Sequence, residues 1–190
     1  MQSPTALWHA FNQSVMIPAL RSPVGRFLHS PLIGYTAVLN TTGRRSGRTR
    51  AVPLSYALRD GHIHFVSGLG EESHWYRNLL ANPRVVVQLP GRVFEGVAEP
   101  VTDPAEALSA RTAILRTSWV TLLALGLPPV GVTEAQVAES TLGDRPVVRV
   151  RTVEPVEPGI WDPGSWGFAL PHVVAPIVAV GLLRKLRRGR

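Results

Sequence analysis

Asp60-Gly61 separates two strand-like runs, and this pattern limits the fold of the chain more than any other part of the sequence. The runs cover 51–59 and 62–67, and an Asp-Gly pair tolerates the positive φ that a tight primed turn requires. The segment therefore predicts a β-hairpin, which joins antiparallel strands.

A second hairpin is predicted further along the chain. The strand-like runs 84–89 and 92–100 are separated by Pro90-Gly91, a typical turn pair. In the second arm polar residues alternate with Val and Phe, which predicts one exposed and one buried face.

The remaining segments add two strands and several helices. Strand patterns occur at 34–40 and 146–152, and helical patterns cover 5–20, 73–82, 103–117 and 133–140. An apolar segment at 119–127 is expected either to pack on the sheet or to cover an apolar cavity. Because this order lacks the strand–helix alternation of a parallel sheet, the sequence predicts an α+β fold: a small antiparallel β-barrel with flanking helices.

Two helix starts are specific enough to name. Ser73 is predicted to cap the helix at 73–82, with Trp75, Leu79 and Leu80 on one side. Asp103-Pro104 is predicted to open the next helix, because proline fits the first turn and an acidic residue faces the positive end of the helix dipole.

The composition fits one folded domain followed by a tail. With 190 residues, of which 45% are hydrophobic and 17% charged, the chain has enough apolar material for a core. We expect residues 1–153 to form the barrel domain with its N-terminal helix. Residues 154–190 are expected to form a tail that is first proline-rich, then apolar and finally basic.

The charge distribution argues against a nucleic-acid partner. The formal net charge is +7, but five positive charges lie in the last seven residues, so 7 − 5 leaves +2 for the rest. That remainder is concentrated near 44–50 and does not form a stripe that could follow a phosphate backbone. The arginines also lack interleaved aromatic residues for base stacking.

The basic segment predicts an anion-binding turn. Guanidinium groups bind phosphate or carboxylate in a forked geometry, hydroxyl groups donate hydrogen bonds, and glycines allow positive φ and close approach of the backbone. The alternative is a solvated basic hairpin. The residues concerned are Thr41, Thr42, Gly43, Arg44, Arg45, Ser46, Gly47, Arg48 and Arg50.

Cysteine and histidine give no sign of a metal site. The chain has no cysteine, which excludes disulfides and thiolate ligands. His62 and His64 lie two residues apart on one strand face, and without nearby ligand residues they are interpreted as a surface pair. The first nine residues lack the features of a secretory signal, so a cytoplasmic location is expected.

The tail has the composition of a membrane-contacting segment. Its apolar part, 168–183, contains two prolines and one histidine and is shorter than the ~20 residues that a spanning helix needs. Five cations follow in 184–190. Residues 168–190 therefore predict peripheral contact with an anionic membrane at the inner face, or alternatively a helix packed on the barrel with a basic end.

Several motifs resemble the deazaflavin-dependent nitroreductase family. They occur in the family's order and at close to its spacing, over roughly a quarter of the chain. The motifs are Leu39-Asn40-Thr41-Thr42-Gly43-Arg44-Arg45-Ser46-Gly47, Arg50, Val52-Pro53-Leu54, Leu58-Arg59-Asp60-Gly61, Trp75-Tyr76-Arg77-Asn78-Leu79 and Ala81-Asn82-Pro83.

The resemblance implies a split β-barrel of the FMN-binding type that binds coenzyme F420, a deazaflavin with a phosphate and an oligoglutamate tail. By similarity, the phosphate and tail are held by Arg44, Arg45, Ser46, Gly47 and Arg50. Val52 and Pro53 flank the ring system, Ser67 and Gly68 approach it with backbone groups, and His74, Trp75 and Asn78 complete the wall. A purely structural role in the core is the alternative for Trp75.

The implied activity is hydride transfer from reduced F420 to an electron-poor, lipophilic acceptor such as a quinone, an activated alkene or a nitro compound. The acceptor is expected to enter beneath the helices at 103–127. Two alternatives remain: an FMN-dependent oxidoreductase on the same barrel, and a deazaflavin-binding protein at the membrane surface without catalysis. The resemblance assigns no catalytic residue and no metal, and it fits a monomer or a homodimer.

Overall fold

Six antiparallel strands form a closed barrel in a computed structural model that describes residues 10–22, 35–89, 92–128 and 130–154. The strand order around the barrel is β1-β2-β3-β6-β5-β4, and every neighbouring pair is antiparallel. The predicted α+β class with a small antiparallel barrel and flanking helices is confirmed. The strands are β1 (Thr36–Thr42), β2 (Thr49–Arg59), β3 (His62–Val66), β4 (Arg84–Leu89), β5 (Arg92–Pro100) and β6 (Val147–Thr152).

The barrel interior is the main hydrophobic core. Alternate residues of each strand point inward, and Leu39, Tyr56, Phe65, Val87 and Val150 are fully buried there. Burying each such side chain contributes about 1.5–3 kcal/mol. This interior is filled with side chains, so the surface and ends of the barrel are left for binding.

The first predicted hairpin is confirmed. Arg59 pairs with His62 across the turn, and Asp60 and Gly61 both have positive φ, +51° and +75°, as a primed turn requires. In the second hairpin the arms pair as predicted, with Leu89 opposite Arg92. Its turn at Pro90-Gly91 lies outside the described residues.

Strand β5 has one exposed and one buried face, as predicted, but its valines lie on the exposed face and not with Phe94 on the buried one. Phe94, Gly96 and Ala98 face inward, whereas Val93 and Val97 are exposed together with Glu95. The inward position 96 requires glycine, because an added Cβ would lie 2.6 Å from the Arg151 carbonyl oxygen. The backbone of β6 thus passes too close for a larger residue.

The described part of the N-terminal helix packs on the outside of the barrel. A π-helical turn, Asn12–Met16, leads into helix α1 (Ile17–Arg21), and Ile17 and Leu20 contact Val38 of β1. The helix was predicted over 5–20; residues 1–9 lie outside the described residues.

The other helices are α2 (His74–Ala81), α3 (Pro104–Arg116), α4 (Trp119–Ala124) and α5 (Glu134–Glu139), with a 3-10 turn at Gly70–Glu72. Asp103 caps α3 by accepting hydrogen bonds from the backbone N–H groups of Ala105 and Glu106, which confirms the predicted start. Thr133 and Gln136 form a capping box at α5.

Helices α3 to α5 enclose a second small core that is separate from the barrel interior. It contains Leu115, Leu122, Val132 and Val137. The apolar segment at 119–127, which was expected to pack on the sheet or to cover a cavity, is helical over Trp119–Ala124 and contributes Leu122 to this second core. Leu123 is exposed, so one side of the segment faces outward.

Two expectations about α2 are wrong. Ser73 stands at the N-cap position, but its side chain does not cap the helix; its hydroxyl oxygen lies 2.6 Å from that of Ser67. Leu80 is exposed, and Tyr76 joins Trp75 and Leu79 on the buried side instead. The helix is rotated relative to the expectation because Trp75 and Tyr76 both enter the barrel core.

Among the described residues, no helix combines the length and the apolar character needed to cross a membrane. The tail from residue 155 onward, including 168–190 with its predicted membrane contact, lies outside the described residues.

Candidate functional site

The basic segment forms a tighter turn than the sequence predicted, because both flanking strands extend into it. Thr42 pairs with Thr49, and Thr41 pairs with Arg50, so the turn itself covers 43–48 and Arg50 lies on β2. The strands were predicted to end at 40 and to resume at 51. Hydrogen bonding between the ladder positions explains the difference, since polar residues at a barrel rim can still pair through the backbone.

Gly43 and Gly47 have different roles in the turn. Gly47 has a φ of +64°, which is strained for other residues. Positive φ occurs at Gly47 and not at Gly43, where the constraint is space: an added Cβ would lie 2.9 Å from the Ser46 hydroxyl oxygen and 3.1 Å from the Arg48 carbonyl oxygen.

The amides of the turn are largely used by the turn itself. The N–H groups of Ser46 and Gly47 donate to the Gly43 carbonyl at 3.1 and 2.8 Å, and the Gly43 N–H donates to the Arg48 carbonyl at 2.9 Å. The Arg48 N–H lies 3.4 Å from the Ser46 hydroxyl oxygen. Anion binding at this turn would therefore depend on guanidinium groups more than on backbone amides.

Three of the four arginines have free guanidinium groups. Arg45, Arg48 and Arg50 are exposed, and within the described part of the chain their side chains make no hydrogen bond or ion pair. Arg50 shares a face of the β1–β2 ladder with Thr41, its partner in the register. A cluster of unpaired cations on a fixed backbone has the chemistry to bind a polyanion.

Arg44 differs from its neighbours because it is half-buried and bonded to Asn78 of α2. Its backbone N–H and its Nη1 both donate to the Asn78 side-chain oxygen, at 3.2 and 3.1 Å. The Asn78 Nδ2 donates to the Thr41 hydroxyl oxygen at 3.3 Å. Asn78 is buried, so these contacts satisfy groups that would otherwise be costly to bury.

Helix α2 carries the predicted wall residues of the cofactor site, His74, Trp75 and Asn78, and contacts the basic turn through Asn78. His74 and Asn78 lie four residues apart, so they share a side of the helix, and His74 is exposed. Trp75 instead belongs to the barrel core and meets the Tyr76 ring edge to face with centroids 6.0 Å apart. This packing fits the alternative given for Trp75 above, a purely structural role in the core.

The loop before α2 holds Ser67 and Gly68. Ser67 is buried, and its backbone N–H donates to the Pro146 carbonyl at 2.9 Å, so that amide is already used. The Ser67 hydroxyl donates to the Gly70 carbonyl at 2.6 Å. Gly68 is exposed with open space where a Cβ would be. Of the two residues, Gly68 is the more accessible.

Val52 and Pro53 point to opposite faces of β2, as neighbours on a strand must. Val52 packs against the barrel core, and Pro53 pairs with Val38, which contacts α1 on the outer side. Their side chains therefore cannot both contact one face of a single ring.

A charged network on the outer surface was not predicted from the sequence. The His64 Nε2 lies 3.0 Å from Oε1 of Glu106 on α3, and the same carboxylate accepts hydrogen bonds from Arg149 Nη1 at 3.0 and 3.1 Å. Arg149 also donates to Glu99 at 2.6 and 2.9 Å, and Arg151 Nη2 lies 2.8 Å from Glu99 Oε2. The network joins β3, β5 and β6 to α3.

The interpretation of His62 and His64 as a surface pair is wrong for His64, which is buried beneath α3. Burial lowers the pKa of His64, although the hydrogen bond to Glu106 acts in the opposite direction. Hydrogen bonds to Glu99 raise the pKa of Arg149. In the described residues, histidine, aspartate and glutamate form no group suited to hold a metal ion.

The comparisons with known proteins come from a family model and from individual relatives. The model described as F420H(2)-dependent quinone reductase matches residues 14–121, which include the basic turn and α2. F420H(2)-dependent quinone reductase Rv1261c of Mycobacterium tuberculosis (strain ATCC 25618 / H37Rv) is 35% identical over 68 residues, 34% of this chain and 45% of that protein. F420H(2)-dependent quinone reductase MT1299 of M. tuberculosis (strain CDC 1551 / Oshkosh) matches with the same values. The chain thus spans a little under half the length of these curated relatives.

A solved structure supports the fold. The crystal structure of the conserved hypothetical protein Rv2991 from M. tuberculosis superposes with a TM-score of 0.50 and 22% sequence identity, covering 70% of this chain and 81% of that one. At this identity the likeness concerns the fold alone.

Proposed function

This chain belongs to the F420H(2)-dependent quinone reductase family, and we propose that it binds coenzyme F420 and passes hydride from the reduced cofactor to an electron-poor, lipophilic acceptor, foremost a quinone. The matched residues, 14–121, contain the cation-rich turn and the helix that supports it. Activated alkenes and nitro compounds are further acceptor classes with suitable chemistry.

The observation that carries this proposal is the set of free guanidinium groups at Arg45, Arg48 and Arg50. A cofactor with a phosphate and a carboxylate-bearing tail needs several cations, and each hydrogen bond between charged groups contributes about 1.5–3 kcal/mol. The turn holds these cations on a backbone fixed by its own hydrogen bonds, so the donor set fits the cofactor.

We assign the anionic groups of the cofactor to the turn and its ring to the surface near α2. Arg45 and Arg50 supply charge, and Ser46 and Gly47 form the exposed crest between them. Gly68 and His74 are exposed at the start of α2 and line the approach to the ring. Arg44 and Asn78 support the turn from below.

The role of the chain's own residues is to position the reactants. When bound, reduced F420 supplies a hydride; a quinone that accepts it takes one proton from water and becomes a hydroquinone. Such a transfer needs no acid–base pair on the protein. Trp75 and Tyr76 close the barrel core beside the site, which keeps water out of the interior behind it.

Titration of the purified protein with F420 and with FMN tests the cofactor. We expect saturable binding of F420 and much weaker binding of FMN, which lacks the oligoglutamate tail. Tight FMN binding without F420 binding would favour an FMN-dependent oxidoreductase on the same barrel.

Turnover is the second test. Oxidation of reduced F420 in the presence of menadione should be steady and depend on protein concentration. F420 binding without turnover over a broad panel of quinones, alkenes and nitro compounds would indicate a protein that only carries its cofactor.

We also propose peripheral contact of residues 168–190 with an anionic membrane, which would bring the protein to a lipophilic acceptor at the inner face. The support is the sequence alone: an apolar segment followed by five cations. The protein should sediment with vesicles containing phosphatidylglycerol and not with pure phosphatidylcholine, and a variant lacking 184–190 should lose this difference. Sedimentation velocity would distinguish a monomer from a homodimer.

A further inference from the structure

We infer that Asn78 is a positioning residue, which holds the basic turn in its binding arrangement through Arg44 instead of contacting the cofactor itself. The inference rests on the proposed function, because the turn is the site to which that function assigns the cofactor's anionic groups. It gives Asn78 a role different from the wall residue that the family resemblance implied.

The side chain of Asn78 is already occupied by the protein. Its oxygen has two lone pairs, and both are used, by the backbone N–H and the Nη1 of Arg44 at 3.2 and 3.1 Å. One of its two N–H groups donates to Thr41 at 3.3 Å. The residue is buried at 5% exposure, so little of it is accessible to a ligand.

These contacts reach both arms of the turn. Thr41 lies near the end of β1, and its hydroxyl lies 3.4 Å from the Arg50 carbonyl oxygen on β2. Arg44 is the first residue after Gly43, so the orientation of its peptide fixes the direction in which the turn leaves β1. One amide thus links α2, both strands and the start of the turn.

Asn78 influences ligand binding through Arg44. Arg44 is half-buried, and both its backbone N–H and its guanidinium bond to Asn78, whereas the exposed guanidinium groups of Arg45, Arg48 and Arg50 have no partner among the described residues. Removal of Asn78 would leave the Arg44 N–H without its partner and let the turn and its cations move. The loss of affinity caused by removing Asn78 would then largely overlap with the loss caused by removing Arg44.

A double-mutant cycle on F420 affinity tests the inference, with Asn78→Ala, Arg44→Ala and the double variant. Each single change should raise the Kd for F420 about 10-fold, the equivalent of one charged hydrogen bond. If Asn78 acts through Arg44, the double variant should lose about 10- to 30-fold, well below the product of the single losses, because Arg44→Ala removes the guanidinium contact and keeps only the backbone bond to Asn78. Independent contacts with the cofactor would instead multiply to about 100-fold, and that result would overturn the inference.

Asn82→Ala is the matched control. Asn82 follows the same helix and also accepts a hydrogen bond from a backbone N–H, that of Arg84 at 3.1 Å, but it does not contact the turn. Its removal should leave the Kd unchanged. A loss equal to that of Asn78→Ala would mean that any weakening of α2 reduces binding, and would refute a specific role.

If Asn78→Ala does not fold, Asn78→Ser replaces it in the cycle, since serine is polar but too short to reach Arg44. The wild-type titration separates the two proposals. Absence of F420 binding by the wild type would remove the proposed function and this inference together, whereas wild-type binding with additive losses would remove only the role of Asn78.

Discussion

Arg50 of β2 lies directly across from Thr41 of β1, and the Thr41 hydroxyl is within hydrogen-bond distance of the Arg50 carbonyl. The guanidinium group of Arg50 has no partner among the described residues. The backbone of Arg50 is therefore held by the barrel and its charge is available to a ligand. Cations on a fixed backbone favour the binding of an anionic ligand, because less conformational freedom is lost on binding than with cations on a mobile loop.

Replacement of Arg45 and Arg50 together with Ala should weaken F420 binding by at least ~2 kcal/mol, or about 30-fold in Kd, because two charged hydrogen-bonding groups are lost. Fluorescence titration measures the change. Arg92→Ala is the control. Arg92 is also exposed, but it begins β5, its guanidinium lies over the Phe94 ring, and its partner Leu89 is at the end of β4 that is farther from the basic turn. Equal affinities of the wild type and the double variant would show that the turn does not hold the cofactor.

Salt should weaken F420 binding by the wild type, because exposed cations and anions are screened. Between about 50 and about 500 mM NaCl, the Kd of the wild type should rise more steeply than that of the Arg45→Ala/Arg50→Ala variant. Parallel dependences would place the charge contacts elsewhere on the protein.

Gly47→Ala and Gly61→Ala form a matched pair. Both positions have positive φ, +64° and +75°, with open space around a Cβ, so each substitution should cost about 1–2 kcal/mol of stability by strain alone. Only Gly47→Ala should also raise the Kd for F420, because it distorts the turn. Unchanged affinity in Gly47→Ala, despite the loss of stability in urea unfolding, would exclude the crest of the turn from the site.

The stability of the protein should fall as pH drops through the titration range of His64. Burial lowers the pKa of His64 below its usual 6.5, so the unfolded chain binds a proton more readily than the folded one. The free energy of unfolding is then retained above about pH 6.5 and decreases below it, toward the lower folded pKa. Glu106 and Arg149 are the charged groups that face His64 in this network.

Urea unfolding between about pH 8 and about pH 5.5 measures this dependence. His64→Gln should flatten the decrease, whereas His62→Gln, on the same strand face, should keep it. A wild-type slope that survives His64→Gln would assign the pH dependence to other groups.

Local patterns were sufficient to predict the hairpins. The Asp60-Gly61 turn and the pairing of 84–89 with 92–100 depend on residues that are close in the sequence, so the local sequence pattern predicts them. The start of α3 at Asp103-Pro104 is also a local signal. These features together limited the fold to an antiparallel barrel.

Contacts between distant segments were not predictable in this way. The placement of β6 between β3 and β5 brings Arg149 beside His64 and Glu99, which are far away in the sequence. The burial of His64 depends on α3, another distant segment, which packs over it. The same holds for Asn78 and Arg44, which are 34 residues apart. The motifs indicated that both belong to one site, but only the structure shows their hydrogen bonds.

A crystal structure of the protein with bound F420 tests the central claim most directly. We predict that the phosphate and the acidic tail lie within hydrogen-bond distance of the Arg45 and Arg50 guanidinium groups, while Asn78 keeps its bonds to Arg44. Well-ordered cofactor bound away from residues 43–50, or crystals that take up no F420 at saturating concentration, would contradict the account.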